Sequence, residues 1–141
     1  SHAVTALQSI VSRNADPIDR VVVSITSFET SSHAFNVIPQ KVSIMGTVRT
    51  MSAEMRDLAE QRVNEICDGI AKTFGGVARV DYQRNYPVMV NHDAQTEFAA
   101  DVARTVSGQC DDAPLVMGGE DFAFMLEERA EIVEQRMPIA S

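Results

Sequence analysis

The sequence predicts an α+β fold in which two amphipathic helices pack on one face of a small β-sheet. Two stretches, 4–11 and 55–74, repeat apolar residues every three or four positions, which is the period of a helix with one buried face. Two others, 21–28 and 42–48, carry the β-branched residues and the alternation that are typical of strands. Since a further strand is predicted at 78–82, the order of elements fits a βαββαβ unit that lacks its first strand.

The first helix has a regular apolar stripe, which consists of Val4, Leu7, Ile10 and Val11. We expect this helix to end near Asn14, because Pro17 disfavours helical backbone at the residue before it. A strand over 21–28 and a short polar connection over 29–34 follow. The short connection predicts that this strand and the next are antiparallel neighbours.

The stretch from Phe35 to Thr50 combines a strand with two candidate binding residues. Its even positions are apolar or small from Val42 to Val48, whereas Asn36 precedes the strand and Arg49 lies near its far end. An amide and a guanidinium can together hold a carboxylate, and arginine does so with two parallel hydrogen bonds. The pattern alone favours the structural alternative, which is a turn asparagine and a solvated strand arginine.

A long helix is expected to begin after Ser52, which can cap it, and to end at Gly75–Gly76. Cys67 lies on its apolar stripe, which indicates a small buried hydrophobe rather than a nucleophile. A third strand, 78–82, alternates in polarity and closes at Tyr86–Pro87.

Beyond Pro87 the sequence predicts a helix that is capped by Asn91 or Asp93, carries its apolar stripe over 98–106 and ends at Gly108. A short buried strand is predicted at 115–117. This strand leads into Gly118-Gly119-Glu120-Asp121 and a further helix. Such a turn suits a substrate, because glycines let a ligand approach the backbone and a helix start offers free N–H groups. Equally, two acids at a helix start complement the helix dipole without any ligand.

Composition narrows the class of protein. The chain has 141 residues, 45% apolar and 23% charged, which predicts a globular domain. Its net charge of −8 argues against nucleic acid as a partner. Two cysteines without a C-x-x-C motif favour the cytoplasm, and no apolar run approaches the roughly 20 residues that span a bilayer. Because the chain begins without methionine, we expect it to be a piece of a longer protein.

The motifs of known catalytic chemistry are missing from the sequence. The three histidines, His2, His33 and His92, do not stand at a metal-ligand spacing, and a role for His33 is left open. There is no G-x-S-x-G and no phosphate-binding glycine motif. The residues therefore predict neither a catalytic group nor a metal ligand within this chain.

Three motifs together resemble one enzyme family. They are Ala34–Pro39 followed by Gly46–Thr50, then Tyr86–Pro87 followed by Asn91, and then Met117–Phe122. In this order and at these separations they resemble the dinuclear-metal amidohydrolases that include hippurate hydrolase, auxin-conjugate hydrolases, aminoacylase and glutamate carboxypeptidase. The hippurate hydrolase branch is the most similar, and the resemblance covers about residues 1–129.

The resemblance implies two structural parts. Residues 1–87 would be most of a lid and dimerisation domain of ferredoxin-like topology, whose first strand is missing. Residues 88–129 would return into an α/β metallopeptidase-like catalytic domain, and 130–141 would be a divergent tail. A homodimer formed through the lid is implied as well.

The resemblance also implies an activity, which is hydrolysis of the amide bond of N-acyl amino acids. In the family, two divalent metals such as zinc or manganese lower the pKa of a bridging water, and a glutamate takes its proton. Those ligands and that glutamate lie outside this chain, so we expect the piece alone to be inactive. The family's substrate contacts correspond here to Asn36 and Arg49, and its active-site floor to Gly118, Gly119 and Glu120.

The alternative is a non-catalytic dimerisation or small-molecule binding module of ferredoxin-like topology. The order of helices and strands supports both interpretations equally. The glycine turn after Pro87 favours the enzyme, because a free-standing lid has no use for a piece of catalytic floor.

Overall fold

A computed structural model describes the backbone of residues 1–136 and the side chains of residues 1–129. It shows a small α+β fold with a two-stranded antiparallel sheet. The helices are α1 (His2–Leu7), α2 (Ala53–Thr73), α3 (Asp93–Ser107) and α4 (Phe122–Arg136), and the strands are β1 (Val21–Thr30) and β2 (Val42–Thr50). The chain divides into two compact units, an N-terminal unit of Ser1–Gln83 and a C-terminal unit that begins at Arg84.

Helix α1 passes into a π-helical turn over Ile10–Asn14, in which the Ala15 N–H donates to the carbonyl of Ile10 at 2.9 Å. The helical segment therefore ends at the residue predicted from Pro17. The side chain of Asn14 then joins α2, because its Oδ1 accepts a hydrogen bond from Arg62 Nε at 3.1 Å.

Strands β1 and β2 pair as predicted, from Val21 opposite Thr50 to Thr30 opposite Val42. The register shifts once, because Ile25 faces Gly46 while Ser27 faces Met45, which leaves Thr26 as an extra residue in a β-bulge. Glycine is required at position 46, since a Cβ there would lie 2.5 Å from the carbonyl oxygen of Ser24.

Helix α2 has both of its predicted ends. The Oγ of Ser52 accepts a hydrogen bond from the Met55 N–H at 3.2 Å, which satisfies one of the free donors of the first turn. At the other end Gly75 has a φ of 72°, and the N–H groups of Gly75 and Gly76 bond to the carbonyls of Lys72 and Ala71. This is a Schellman motif, which stops the helix and reverses the chain.

The core of the N-terminal unit lies between the first helical segment, α2 and one half of the hairpin. Its fully buried residues are Leu7, Ile10, Val21, Val23 and Ala59. A second group of half-buried side chains packs against them: Ala15, Ile25, Val48, Met55, Val63, Ile66 and Cys67. The apolar stripes predicted for both helices therefore include the faces that the structure buries, whereas Val11 and Phe74 at the ends of the stripes are exposed.

Two predicted strands are not formed. Ala78, Val80 and Tyr82 are half-buried in alternation, but the stretch 78–82 pairs with no strand among the described residues. The stretch 115–117 is also irregular, and Leu115 is 67% exposed. A strand is stabilised by hydrogen bonds to a neighbour, so a correct alternation does not suffice where the neighbour is absent. The ferredoxin-like sheet predicted for residues 1–87 is accordingly not seen beyond the hairpin of β1 and β2.

The C-terminal unit differs from its prediction in two further details. The N-cap of α3 is His92, without a side-chain hydrogen bond, rather than Asn91 or Asp93. The tail, for which the sequence indicated no period, continues α4 as far as Arg136, and residues 137–141 lie outside the described range. Among the described helices, none combines the length and the apolar character needed to cross a membrane.

Candidate functional site

Asn36 lies in the loop that joins β1 to β2. The loop is closed by the Ser31 N–H, which donates to the carbonyl of Lys41 at 2.9 Å, and by the Lys41 N–H, which donates to Ser31 Oγ at 3.3 Å. A tight turn follows within it, because the Val37 N–H donates to the carbonyl of Ala34 at 3.2 Å. Asn36 is a central residue of this turn and is exposed to solvent.

The neighbours of Asn36 are unusually exposed for apolar residues. Phe35 is 103% exposed and Ile38 is 91% exposed, so two large hydrophobic side chains flank the amide in solvent. His33 is exposed in the same loop. The loop therefore presents one polar group between two apolar ones.

Arg49 lies on β2, directly opposite Val22 of β1. Its neighbours Val48 and Thr50 are half-buried, whereas Arg49 itself is exposed. The alternation predicted for this strand thus places the guanidinium on the sheet face opposite the core, where an anionic ligand can reach it.

The hairpin separates Asn36 from Arg49 rather than bringing them together. Arg49 lies seven residue steps along β2 from the loop end at Val42, which corresponds to roughly 23 Å of extended strand. Asn36 belongs to the loop at that end, while Arg49 lies at the end where the hairpin opens. The amide and the guanidinium are therefore at opposite ends of the hairpin in one copy of the chain.

The glycine turn leads into α4, as predicted. The carbonyl of Glu120 accepts from the Ala123 N–H at 3.3 Å, and its carboxylate Oε1 accepts from the Phe122 N–H at 3.4 Å. Glu120 thus satisfies free donors at the helix start, which is the structural alternative to ligand binding. Gly118, Gly119 and Glu120 are all exposed.

The structure brings the glycine turn together with Tyr86. A Cβ added to Gly119 would lie 2.9 Å from Cδ2 of the Tyr86 ring, so the glycine backbone packs directly against the aromatic side chain. The same ring lies 5.8 Å from the ring of Phe124 on α4, centroid to centroid and tilted by 57°. Two of the three sequence motifs are therefore in contact, a proximity that no local pattern in the sequence could indicate.

The described residues do not supply a metal centre. Among them no group of three or more His, Cys, Asp or Glu side chains is placed to hold a metal ion. The donor set of this part of the chain therefore does not fit a dinuclear metal site.

Two described groups, Cys67 and Glu65, have a pKa that their structural contacts shift. Burial raises the pKa of the Cys67 thiol, which packs against the core on α2 as predicted. Hydrogen bonds from Gln61 and Arg62 lower the pKa of the Glu65 carboxyl on the exposed side of α2. Neither group adjoins Asn36, Arg49 or the glycine turn in sequence, and a buried protonated thiol is a poor nucleophile.

Comparison with known proteins gives a consistent result. Residues 3–137 match the model of peptidase family M20/M25/M40, so the match extends into the tail that the sequence motifs left out. The chain is 41% identical over 128 residues to a hippurate hydrolase of Campylobacter jejuni, covering 88% of this chain and 33% of that protein. It is 38% identical over 133 residues to an N-acetyldiaminopimelate deacetylase of Brevibacillus brevis, covering 91% of this chain and 34% of that protein.

The fold is similar to a solved structure as well. A crystal structure from methicillin-resistant Staphylococcus aureus, assigned as an aminohydrolase, superposes with a TM-score of 0.75 at 32% identity. The match covers 89% of this chain and 32% of that one. The chain therefore spans about one third of the length of the relatives that it matches.

Proposed function

This chain belongs to peptidase family M20/M25/M40, and from that premise we propose that the protein containing it hydrolyses the amide bond of N-acyl amino acids. The family is generally metal-dependent, so the proposal includes two divalent ions held by residues outside this chain. Within that enzyme the role of this chain is to bind and orient the substrate.

The observation that carries the proposal is the shared chemistry of two relatives. One is named for the hydrolysis of hippurate and the other for the deacetylation of N-acetyldiaminopimelate. Both substrates are amino acids that carry an acyl group on nitrogen, and both therefore offer a carboxylate beside the amide that is cleaved. A free carboxylate is the group that a guanidinium such as that of Arg49 recognises in two-pronged fashion.

The separation of Asn36 from Arg49 favours a site that two protomers share. A small N-acyl amino acid is shorter than the distance between the two ends of the hairpin. We therefore propose a homodimer in which one substrate receives Arg49 from one protomer and Asn36 from its partner. Phe35 and Ile38, which are the exposed apolar residues in the loop of Asn36, would then lie against the other protomer.

The finer topology of the N-terminal unit is proposed on the same basis. The free edge of β2 and the alternating, half-buried stretch 78–82 each lack a neighbouring strand among the described residues. One additional strand between them would complete a ferredoxin-like lid of four strands with α1 and α2 on one face. The proposal also keeps the cytoplasm as the location, as the sequence predicts.

The first experiment measures hydrolysis of N-benzoylglycine with added manganese or zinc. We expect turnover by the full-length protein and none by the 141-residue chain, because the chain lacks a described metal site. If the washed 141-residue chain turned over substrate in proportion to its concentration, the proposal that this chain only binds and orients the substrate would be overturned. If the full-length protein hydrolysed neither N-benzoylglycine nor N-acetyldiaminopimelate, a non-catalytic binding module would be favoured instead.

The second experiment tests the shared site by complementation in the full-length protein. We expect Asn36→Ala and Arg49→Ala each to lower kcat/KM by about a hundredfold, since each removes a substrate contact. Arg79→Ala, at an exposed arginine of the same unit, is the control and should retain activity. A heterodimer of the two inactive variants should recover about half of the wild-type activity, because one of its two sites is then intact. An inactive heterodimer would mean that both residues serve a site within one protomer.

A further inference from the structure

The two glycines of the turn have different surroundings. A Cβ at Gly119 would meet the Tyr86 ring at 2.9, 3.6 and 3.8 Å, at Cδ2, Cε2 and Cγ. A Cβ at Gly118 would meet nothing within 4 Å. One glycine is therefore small because an aromatic ring lies behind it, whereas the other leaves the backbone open on the side where a ligand can approach.

Tyr86 connects this turn to the helix that follows it. Its ring lies against Gly119 on one side and at 5.8 Å from the Phe124 ring on the other. The tilt of 57° between the rings is one that aromatic pairs favour. Phe124 belongs to the first turn of α4, whose opening N–H groups are bonded by Glu120 and Asp121. The Tyr86 ring thus contacts both the glycine turn and α4, and it holds the turn in place relative to the helix.

We propose that Tyr86 is a positioning residue for the substrate, because its ring holds the Gly118–Glu120 backbone in the conformation that receives it. This inference rests on the proposed function and on the family resemblance, which implies that the turn forms the floor of the active site. Tyr86 acts through Gly119 and does not itself touch the substrate. Its contribution comes from the ring, since the contacts with Gly119 and Phe124 are made by ring atoms.

The test is a double-variant cycle in the full-length enzyme, assayed with N-benzoylglycine and the metal that supports turnover. Tyr86→Ala should raise KM about tenfold and change kcat less than about twofold, because a loosened turn binds substrate less well. Tyr86→Phe keeps the ring and should retain a KM within about twofold of wild type. Tyr86→Leu provides a variant of larger apolar volume if the alanine variant fails to fold.

The second arm of the cycle is Gly119→Ala, whose new methyl group would collide with the ring. This variant alone should also raise KM about tenfold, and combining it with Tyr86→Ala should add little, since the collision is then removed. Gly69→Ala is the matched control, because a Cβ at Gly69 in α2 meets nothing within 4 Å. It should leave KM unchanged, and thermal unfolding of every variant checks that the fold is retained.

The outcomes separate the inference from the proposed function. An active wild-type enzyme with an unchanged KM in Tyr86→Ala or Tyr86→Leu overturns the role of Tyr86 alone. Strict additivity of the two substitutions in KM does the same, because it shows that ring and glycine do not act on each other. A wild-type enzyme that hydrolyses no N-acyl amino acid overturns the proposed function, and the inference with it.

Discussion

The two units of this chain use the same sequence pattern with opposite results. In the N-terminal unit the stripe of α2 packs against a core that includes Leu7 and Ile10. In the C-terminal unit the stripe of α3 is exposed: Phe98 by 72%, Val102 by 47% and Val106 by 82%. An amphipathic period states which face of a helix favours burial, but the partner that buries it has to be supplied by another part of the protein.

The comparison extends to the rest of the C-terminal unit. Ala123 is its one fully buried hydrophobic residue among those described, whereas Leu115, Val116, Phe122 and Met125 are exposed. A folded domain rarely leaves so many large apolar side chains in water unless another surface covers them.

The largest predicted effect compares the same residue type in the two units. Leu7→Ala should lower the free energy of unfolding by about 2–5 kcal/mol, because Leu7 is 4% exposed and its removal leaves a cavity. Leu115→Ala, at a residue that is 67% exposed, should cost less than about 0.5 kcal/mol. Urea unfolding of both variants measures the difference. Equal losses would show that the C-terminal unit has a core of its own.

A smaller effect is expected at the two helix starts. Ser52→Ala should cost about 1 kcal/mol, because it removes the cap of α2. His92→Ser should increase the helicity of α3, because His92 has the extended backbone of an N-cap but its side chain makes no cap bond. Amide exchange in the first turn of each helix reports both changes. Faster exchange in α3 after His92→Ser would contradict the assigned cap position.

The smallest effect concerns the cysteines. Since burial raises the pKa of the Cys67 thiol, its contribution to stability is full below the pKa of the unfolded thiol and is lost as the pH rises through the folded pKa. Cys110 is exposed. A disulfide reagent should therefore label Cys110 first at neutral pH, and Cys67 should become reactive as alkaline pH increases. In the Cys110→Ser variant the labelling rate of Cys67 can be measured alone. Equal labelling rates would mean that Cys67 is not held against the core.

Sequence alone predicted those elements whose stabilising contacts are local. Helix α2 was predicted with both ends, because Ser52 and Gly75 act on backbone groups within a few residues. The hairpin was predicted because a short connection leaves few alternatives. The stretch 78–82 was predicted with the right alternation but not as the irregular segment it forms, since a strand depends on a neighbour that sequence periodicity does not reveal.

The candidate site divides in the same way. Asn36, Arg49 and the glycine turn could be selected because their side chains or backbone suit a carboxylate or a close ligand. Their mutual placement could not be predicted, because it depends on the length of β2 and on a contact between Tyr86 and Gly119, which are far apart in sequence. Chemical character is a property of single residues, whereas distance is a property of the folded chain.

The bulge at Thr26 has a consequence for how β1 encodes its two faces. Before it the apolar residues occupy odd positions, Val21, Val23 and Ile25, and after it Phe28 occupies an even one. The extra residue advances the phase by one, so that Phe28 and its partner Ile44 remain on the same side of the sheet as Val23 and Val48. A regular ladder that paired Thr26 with Met45 would place Phe28 opposite Ser43 and turn its side chain to the other face of the sheet. The bulge is therefore what keeps the apolar face of the hairpin continuous.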